Sequence, residues 1–174
     1  MLECAKKHED KLKQLFIDIA FDPFYQFEQY SVFRETFKLP EDTWNANHFV
    51  SVLNNEVIGM VSYQIKRIEN AVSNLHIVHF GGRAAQNNYT FGKDAITAIR
   101  DIFEKFSFSK ISFSVVIGNQ AEKTYDRMVK RYNGCIVGIK KQEVKLLDGK
   151  LYDKKMYEIL ADDYFSQKNR RGKT

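Results

Sequence analysis

The chain has 174 residues, of which 44% are hydrophobic and 28% charged, with only two prolines and nine glycines. This length suits one domain whose core folds without disulfide or metal, and the composition excludes collagen-like, low-complexity and wholly disordered chains. The net charge of +5 is uneven, because residues 166–174 hold four basic side chains and no acid. We therefore predict a single domain over residues 1–165 and a basic, disordered tail over 166–174.

No segment of the sequence has the features of a targeting or membrane-spanning element. The N-terminal residues lack the apolar centre of a signal peptide, and no apolar run approaches the roughly 18 residues that span a bilayer. We expect a cytoplasmic protein without a membrane partner, in which Cys4 and Cys135 are reduced thiols and Cys135 is buried. The four histidines lack metal-ligand spacing, so no metal site is expected.

The first half of the chain predicts helical segments followed by strands. Residues 8–20 place apolar side chains on one helical face, and Asp22-Pro23 ends this helix. The aromatic-rich stretch 24–37 indicates a second helix or a pair of helices. After Pro40 the hydrophobic period becomes that of strands. The predicted strands cover residues 49–53, 57–65 and 74–80, and the first two form a hairpin.

The second half alternates helices with strands and ends in a hairpin. A helix over 93–106 connects the strand 74–80 to a strand over 111–117, and such a step implies a parallel pair with a right-handed crossover. The elements that follow are a helix over 121–132, a strand over 135–147, a turn at Asp148-Gly149 and a strand over 151–160. This order predicts an α/β (α+β) fold, with a mixed sheet of about six to seven strands and helices on both faces.

The order of elements resembles that of the GNAT superfamily, the acyl-CoA-dependent N-acetyltransferases, over nearly the whole stretch 8–165. Four stretches carry the resemblance, and the closing hairpin is similar to the branch that includes ribosomal-protein N-terminal acetyltransferases. They are N-E-V-I-G-M-V at 55–61, T-F-G-K-D-A at 90–95, the helix start at 119–125, and the hairpin segments 137–139 and 147–153. The resemblance implies a sheet that splays at its centre, with acetyl-CoA held between the fourth and fifth strands.

The resemblance also implies which residues hold the coenzyme. The backbone near His79, Phe80 and Gly81 would pair with pantetheine, and Gly82 would allow close approach. The phosphate motif Q/R-x-x-G-x-G/A of the family aligns best with residues 87–92, where only the last glycine matches. Arg83 and Lys93 would add positive charge beside it. The coenzyme-binding residues implied are Phe80, Gly81, Gly82, Arg83, Asn87, Tyr89, Thr90, Phe91, Gly92, Lys93 and Asn119.

Catalysis would fall to a tyrosine and a histidine. Tyr125 stands four residues after Ala121, as in the A-x-x-x-Y pattern of the family, and its phenol would protonate the departing thiolate. Tyr125 also lies on the apolar stripe of its helix, so a core position is the alternative. His76 and His79 are both candidates for the base, and a spacing of three places them on opposite faces of a regular strand. A packed sheet histidine is the alternative for either.

The acceptor implied by the resemblance is a primary amine, of a small molecule or of a protein N-terminus, received by a monomer or a homodimer. A second hypothesis is a catalytically inactive GNAT-like binding or regulatory protein, because residues 87–92 depart from the phosphate motif. Nucleic-acid binding through the basic stretch 123–131 is disfavoured, since no RNA motif with stacking aromatic residues is present. Aromatic residues of the N-terminal region can wall the amine site by cation–π contact, and packing in the core is the favoured alternative for them: Phe21, Phe24, Tyr25, Phe27, Tyr30, Phe33 and Phe37.

Overall fold

A mixed sheet of seven strands runs through the protein, in a computed structural model that describes residues 1–31, 37–81 and 85–171. Of residues 21, 29–31, 85–88 and 171 only the backbone is described. The strands are β1 (Leu2–Cys4), β2 (Ala46–Leu53), β3 (Glu56–Lys66), β4 (Ala71–His79), β5 (Lys110–Val116), β6 (Cys135–Lys145) and β7 (Leu151–Leu160). Their order in the sheet is β1-β2-β3-β4-β5-β7-β6, in which β4 and β5 are parallel and the other neighbours antiparallel.

Helices cover both faces of this sheet, which confirms the predicted architecture. The helices are α1 (Glu9–Asp18), α2 (Ala85–Glu104), α3 (Glu122–Arg131) and α4 (Ala161–Arg171), with 3₁₀ segments at Ala5–His8, Ile19–Phe21 and Pro23–Ser31. α1 and the Pro23–Ser31 segment pack on one face, which we call the α1 face. α2, α3 and α4 pack on the other, which we call the α2 face. None of the helices in the described part of the chain is long and apolar enough to cross a bilayer.

The larger of the two cores lies on the α2 face. Ile99, Ile102 and Phe103 of α2 are almost fully buried there, against Val72 and Ile111 of the two parallel strands. Burial of each such side chain contributes about 1.5–3 kcal/mol relative to exposure, so this layer fixes α2 on the sheet. A smaller core on the α1 face contains Leu12 and Phe16 of α1. The site described below lies between these two cores.

The N-terminal region differs from its prediction in two respects. The predicted helix 8–20 is found as α1, extended at its end by the Ile19–Phe21 turn. The second predicted helix is instead the 3₁₀ segment Pro23–Ser31, kinked at Tyr25, and residues 32–36 of the prediction lie outside the described residues. β1 was not predicted, since three residues are too few for a strand period.

Helix α2 begins earlier than the sequence pattern indicated. It starts at Ala85 rather than near Lys93, so the phosphate motif aligned at 87–92 lies within helix and not in a loop. Phe91 explains the difference: it is buried in the α2-face core, one turn before the apolar stripe of the prediction. Gly92 is compatible with helix, and no atom lies within 4 Å of where its Cβ would be.

The C-terminal residues correct two further expectations. Residues 166–171, predicted to be disordered, continue α4 to Arg171. Tyr164 holds this helix by stacking on Phe103, and Lys168 forms a 2.8 Å ion pair with Glu104. The expected burial of Cys135 is also wrong, because β6 is the edge strand of the sheet and this thiol is exposed.

Candidate functional site

The parallel strands β4 and β5 separate after a short paired stretch. They pair only at Ala71 with Lys110 and at Val72 with Ile111, although both strands continue for several residues. The chain diverges at a bulge, where β4 has an extra residue opposite β3 and Asn74 adopts a φ of 53°. Bulges bend strands and disrupt the ladder, so this one accounts for the gap that opens beyond Val72. The predicted splay at the centre of the sheet is confirmed.

The bulge also decides which backbone groups of β4 face the gap. Before it, the Val72 carbonyl points toward β5 and accepts a 3.4 Å hydrogen bond from Ser112. After it, the N–H of Phe80 donates to Ile58 of β3 at 2.9 Å. Because backbone groups alternate along an antiparallel ladder, the donors and acceptors of Ile77 and His79 point the other way, toward the gap.

A cleft of about 1090 Å³ passes through this gap and reaches both faces of the sheet. Its walls combine the end of β4, the stretch of α2 from Phe91 to Ile99, the turn before α3, one side of α3 and the Pro23–Ser31 segment. The residues that line it are Phe24, Tyr25, Phe27, Glu28, Ile77, Val78, His79, Phe91, Gly92, Ala95, Ile96, Ile99, Asn119, Gln120, Ala121, Thr124, Tyr125, Arg127, Met128, Arg131 and Tyr132. Such a passage can hold a long, thin ligand with one end on each face.

The turn between β5 and α3 is fixed by local hydrogen bonds. The Asn119 side-chain oxygen accepts from the N–H of Ala121 at 2.9 Å, and the Glu122 carboxylate accepts from the N–H of Gly118 at 3.1 Å. Gly118 adopts a φ of 97°, which favours glycine at this position. Asn119 therefore has the turn-forming role that its residue type suggests, and it also lines the cleft.

The two candidate histidines lie on opposite faces, as their spacing predicted. The His79 ring lies 5.4 Å from the Phe91 ring on the α2 face, and its Nε2 is buried. His76 lies on the α1 face, where its Nε2 donates to the Glu28 carboxylate at 2.7 Å. Because a carboxylate only accepts, Nε2 carries a hydrogen in this bond, and Nδ1 is the nitrogen that titrates.

The Glu28 carboxylate changes the proton affinity of His76. Burial lowers the pKa of His76, but the charge and hydrogen bond of Glu28 outweigh burial, so the pKa lies above the ordinary histidine value. The neighbouring His48 responds oppositely: burial and the charge of His76 lower its pKa. Glu28 lines the cleft whereas His76 does not. A ligand in the cleft would therefore contact the Glu28 carboxylate and not the His76 imidazole.

Several solved structures of acetyltransferases have a fold similar to that of this chain. The acetyltransferase of Salmonella typhimurium that modifies the N-terminal serine of the 50S ribosomal subunit protein L7/L12 superposes with a TM-score of 0.66 at 21% identity, over 91% of this chain and 93% of that one. Mutant forms of the spermidine/spermine N-acetyltransferase from Vibrio cholerae give 0.71 at 16% identity, over 97% of each chain. This chain has the GNAT fold. A probable GNAT-family acetyltransferase from Chromobacterium violaceum ATCC 12472 gives 0.69 at 14% identity, over 95% of this chain and 88% of that one. The sequence matches no family model and no curated protein.

Within the GNAT fold, the position of Tyr125 is compatible with both roles considered for it, that of a catalytic acid and that of a core residue. Its ring is only 5% exposed and meets Phe113 edge-on at 5.1 Å, as a core residue does. It also lines the cleft. The neighbouring Tyr157 hydroxyl donates to Asp126 at 2.7 Å, and burial followed by this bond raises the pKa of Tyr157. The Tyr125 ring is thus held between packed neighbours at the edge of the cleft.

The implied coenzyme-binding residues separate into three groups. His79, Phe91, Gly92 and Asn119 line the cleft. Phe80 does not, since its N–H donates to Ile58 of β3 and its ring packs on Phe16 at 5.1 Å. Tyr89 is 71% exposed, with the Lys93 amine 5.2 Å above its ring. Gly82 and Arg83 lie outside the described residues, as does the side chain of Asn87. Gly81 and Thr90 are described and do not line the cleft.

Three charged residues of the cleft were not predicted as site residues. Glu28 reaches its histidine from 48 residues away, and no sequence period signals such a contact. Arg127 and Arg131 were noted only as part of a basic stretch. A helical wheel could have placed them on one stripe with Thr124 and Met128, at spacings i, i+3, i+4 and i+7. Among the described residues, the cleft is therefore acidic on the α1 face and basic on the α2 face.

The described residues bring together no group of three or more His, Cys, Asp or Glu side chains that could hold a metal ion. The aromatic residues expected to wall the amine site are partly placed: Phe24, Tyr25 and Phe27 line the cleft beside Glu28. Phe37 packs instead against Phe16 of α1, with ring centroids 5.5 Å apart. The side chains of Phe21, Tyr30 and Phe33 lie outside the described residues.

Proposed function

We propose that this protein is an acetyl-CoA-dependent N-acetyltransferase that transfers an acetyl group to a primary amine. The observation that carries the proposal is the gap between β4 and β5, which turns a backbone edge of β4 into the wall of a through-going cleft. A thioester carrier needs such a passage, because its thiol end must meet the amine while its nucleotide end stays outside. The opposite charges of the two ends fit a cationic acceptor and an anionic carrier.

The pantetheine arm would replace β5 as the partner of β4. Its two amide groups can form hydrogen bonds with the backbone edge at Ile77, as an added strand would. The first-turn N–H groups of α2, at residues 85–88, have no partner inside the helix by virtue of its geometry. They would receive the pyrophosphate in place of the glycine-rich loop.

The Glu28–His76 pair would bind and deprotonate the amine. The substrate ammonium approaches the Glu28 carboxylate, and the aromatic rings of Phe24 and Phe27 offer cation–π contact. The ammonium gives up one proton, which water in the cleft would carry to Nδ1 of His76, and His76 becomes imidazolium beside the Glu28 carboxylate. Glu28 acts here as a positioning and ammonium-binding residue, and His76 as the proton acceptor. His79, whose Nε2 is buried, would contribute to packing against Phe91.

Tyr125 would complete the reaction as the acid. The neutral amine attacks the thioester carbonyl and forms the N–C bond, and its excess proton leaves to solvent. The C–S bond then breaks, and the phenol of Tyr125 protonates the thiolate before it regains a proton from solvent. The products are the amide and free coenzyme A.

The acceptor belongs to the class of primary amines, which both types of relative share. The Vibrio cholerae structures are of a spermidine/spermine acetyltransferase, and the Salmonella typhimurium enzyme modifies an N-terminal serine. The wall formed by Phe24, Phe27 and Glu28 fits the ammonium group common to the two. We propose either a small amine or a protein N-terminus, received by a monomer or a homodimer.

Calorimetry and mass spectrometry test the proposal in two steps. Coenzyme A should bind the full chain at micromolar concentration, and acetyl-CoA should then acetylate at least one member of a panel of polyamines and N-terminal peptides. No binding at millimolar coenzyme contradicts the proposal. Binding without transfer to any amine favours the second candidate, an inactive GNAT-like binding or regulatory protein, which the departure of residues 87–92 from the phosphate motif supports.

A further inference from the structure

We propose that Lys155 of β7 is a positioning residue for Tyr125. The inference rests on the proposed function, in which the Tyr125 phenol protonates the thiolate, and adds to it a residue outside the cleft. The Lys155 amine lies 2.6 Å from the Glu122 carboxylate and 3.2 Å from the Asp126 carboxylate, both on α3. Lys155 does not line the cleft, so α3 is the element through which it would act on the reaction.

The two acidic residues that Lys155 binds lie on either side of Tyr125 along the helix. Glu122 precedes Tyr125 by three residues and Asp126 follows it directly, so the amine bridges one turn of α3. Contacts one turn apart oppose rotation of the helix as well as its displacement. Because side chains reach roughly 5–6 Å from the helix axis, a rotation of about 10° moves their outer ends by about 1 Å. A misplacement of that size can slow a reaction by about 10²-fold.

The bridge between Lys155 and α3 is partly shielded from solvent. The side chains of Lys155 and Glu122 are 14% and 20% exposed, and that of Asp126 is 41% exposed. The hydrogen bond with Glu122 raises the pKa of Lys155 and lowers the pKa of Glu122, so the pair is charged throughout the neutral pH range. Salt screens shielded pairs less than exposed ones, and the contact with Glu122 is therefore the stronger of the two.

Tyr157 connects this bridge with the ring of Tyr125. Its hydroxyl donates to Asp126 at 2.7 Å, and its ring stacks on Phe113 with centroids 5.1 Å apart. Phe113 in turn meets the Tyr125 ring edge-on at 5.1 Å. Residues two apart on a strand share a face, so Lys155 and Tyr157 contact the same helix from the same strand. Aromatic contacts thus hold the Tyr125 ring, while the ion pairs hold its helix.

The location of Lys155 beside the apolar core bears on what its charge contributes. Val115, which lies opposite Lys155 on β5, is 4% exposed and belongs to the α2-face core. Replacement of a buried ion pair by packed apolar side chains is often neutral or stabilising, and charged contacts can instead specify one arrangement of two elements. In this proposal the bridge defines the position of α3 more than it adds to the free energy of unfolding.

Lys155→Met, alone and combined with Tyr125→Phe, tests the inference through kcat at saturating acetyl-CoA and amine. Methionine is unbranched like lysine and lacks the amine, so the single variant should lower kcat by about tenfold or more. In the Tyr125→Phe background the same change should lower kcat by less than about twofold, because the hydroxyl that Lys155 positions is already absent. Lys155→Arg can still bind both carboxylates and should retain kcat within about threefold.

The matched control is Lys110→Met, which breaks a 3.0 Å ion pair with Glu158 between β5 and β7 and does not line the cleft. It should leave kcat unchanged. Circular dichroism and thermal melts establish that each variant is folded before its kinetics are measured. Lys155→Gln, which removes the charge and keeps a polar group, replaces Lys155→Met in the same cycle if the methionine variant does not fold.

Each other outcome overturns the inference. A wild-type kcat in Lys155→Met contradicts it and leaves the proposed function intact. An equal fold loss with and without the Tyr125 hydroxyl also contradicts it, because Lys155 would then act on something other than the phenol. If Tyr125→Phe alone turns over like the wild type, the catalytic role of Tyr125 and this inference fail together. Absence of acetyl transfer by the wild-type protein contradicts the proposed function itself, and the inference with it.

Discussion

At the scale of single residues, the Glu28–His76 pair leads to the most specific prediction about the reaction, which concerns its pH dependence. The carboxylate raises the pKa of His76, and the proposed base works only in its neutral form. Activity should therefore rise with pH through a value above the ordinary histidine pKa. Glu28→Gln removes the charge that favours imidazolium, so the acidic limb of kcat/KM should move to lower pH while the maximal rate falls.

The pH profile separates this role from a structural one. The matched control is Glu3→Gln, which removes a carboxylate that lies 3.0 Å from His8 outside the cleft and should leave the limb in place. If the acidic limb of the kcat/KM profile lies at the same pH in Glu28→Gln as in the wild type, His76 is not the base. The measurement is kcat/KM against pH, with saturating acetyl-CoA.

Tyr125 offers a second test at the residue scale. Tyr125→Phe keeps the ring that packs on Phe113 and removes only the hydroxyl. If the phenol protonates the thiolate, kcat should fall by about 10²–10⁴ while coenzyme affinity stays within about twofold. Tyr164→Phe removes a hydroxyl from an equally buried residue outside the cleft, and its folded form should turn over normally. Equal rates for wild type and Tyr125→Phe would make Tyr125 a core residue only.

The face on which a residue of one strand or helix lies could be predicted from the sequence, whereas contacts between separate elements could not. The opposed faces of His76 and His79 follow from the alternation of a strand, and the structure has them so. The partner of His76 was beyond prediction, because Glu28 is brought to it by the packing of a separate 3₁₀ segment. The prediction that the phosphate motif at 87–92 forms a loop failed for a related reason. The burial of Phe91 in the core extends α2 through these residues.

At the scale of elements, the contact between β3 and α2 determines where the cleft wall stands. Gly59 lies under Phe91, and an added Cβ would overlap the Phe91 ring. Gly59→Ala should therefore lower the free energy of unfolding by about 1–3 kcal/mol, as overpacking does. Phe91 also lines the cleft, so displacement of its ring should lower coenzyme affinity as well.

Chemical denaturation and calorimetry check this prediction together. Gly138→Ala is the matched control, because no atom lies within 4 Å of its added Cβ on the exposed strand β6. It should change neither stability nor affinity appreciably. Wild-type stability in Gly59→Ala would mean that α2 is not positioned by this contact.

The elements themselves were largely visible in the sequence. Alternation and helical spacing predicted β2 to β7 and α1 to α3 in the right order, because all of them except the largely exposed edge strand β6 bury one face in a core. α4 was not predicted: no element was assigned to residues 161–165, and the basic residues after them suggested a disordered tail. Tertiary contacts of Tyr164 and Lys168 with α2 stabilise it there, and such contacts leave no periodic signal in a short segment.

At the scale of the whole molecule, topology and charge act together. The β-α-β step places two parallel strands side by side, and the bulge at Asn74 separates them along most of their length. The order of elements predicted the parallel pair, but the register shift that opens the gap depends on one residue with positive φ. The resulting cleft is acidic on the α1 face and basic on the α2 face, which gives a bound carrier one orientation.

A crystal structure of the protein with coenzyme A bound tests the central claim most directly. We expect the pantetheine arm between β4 and β5, its amides hydrogen-bonded to the backbone at Ile77, its thiol toward Glu28 and its nucleotide between α2 and α3. Coenzyme density elsewhere on the surface, or β4 and β5 hydrogen-bonded to each other along their full length, would contradict the account.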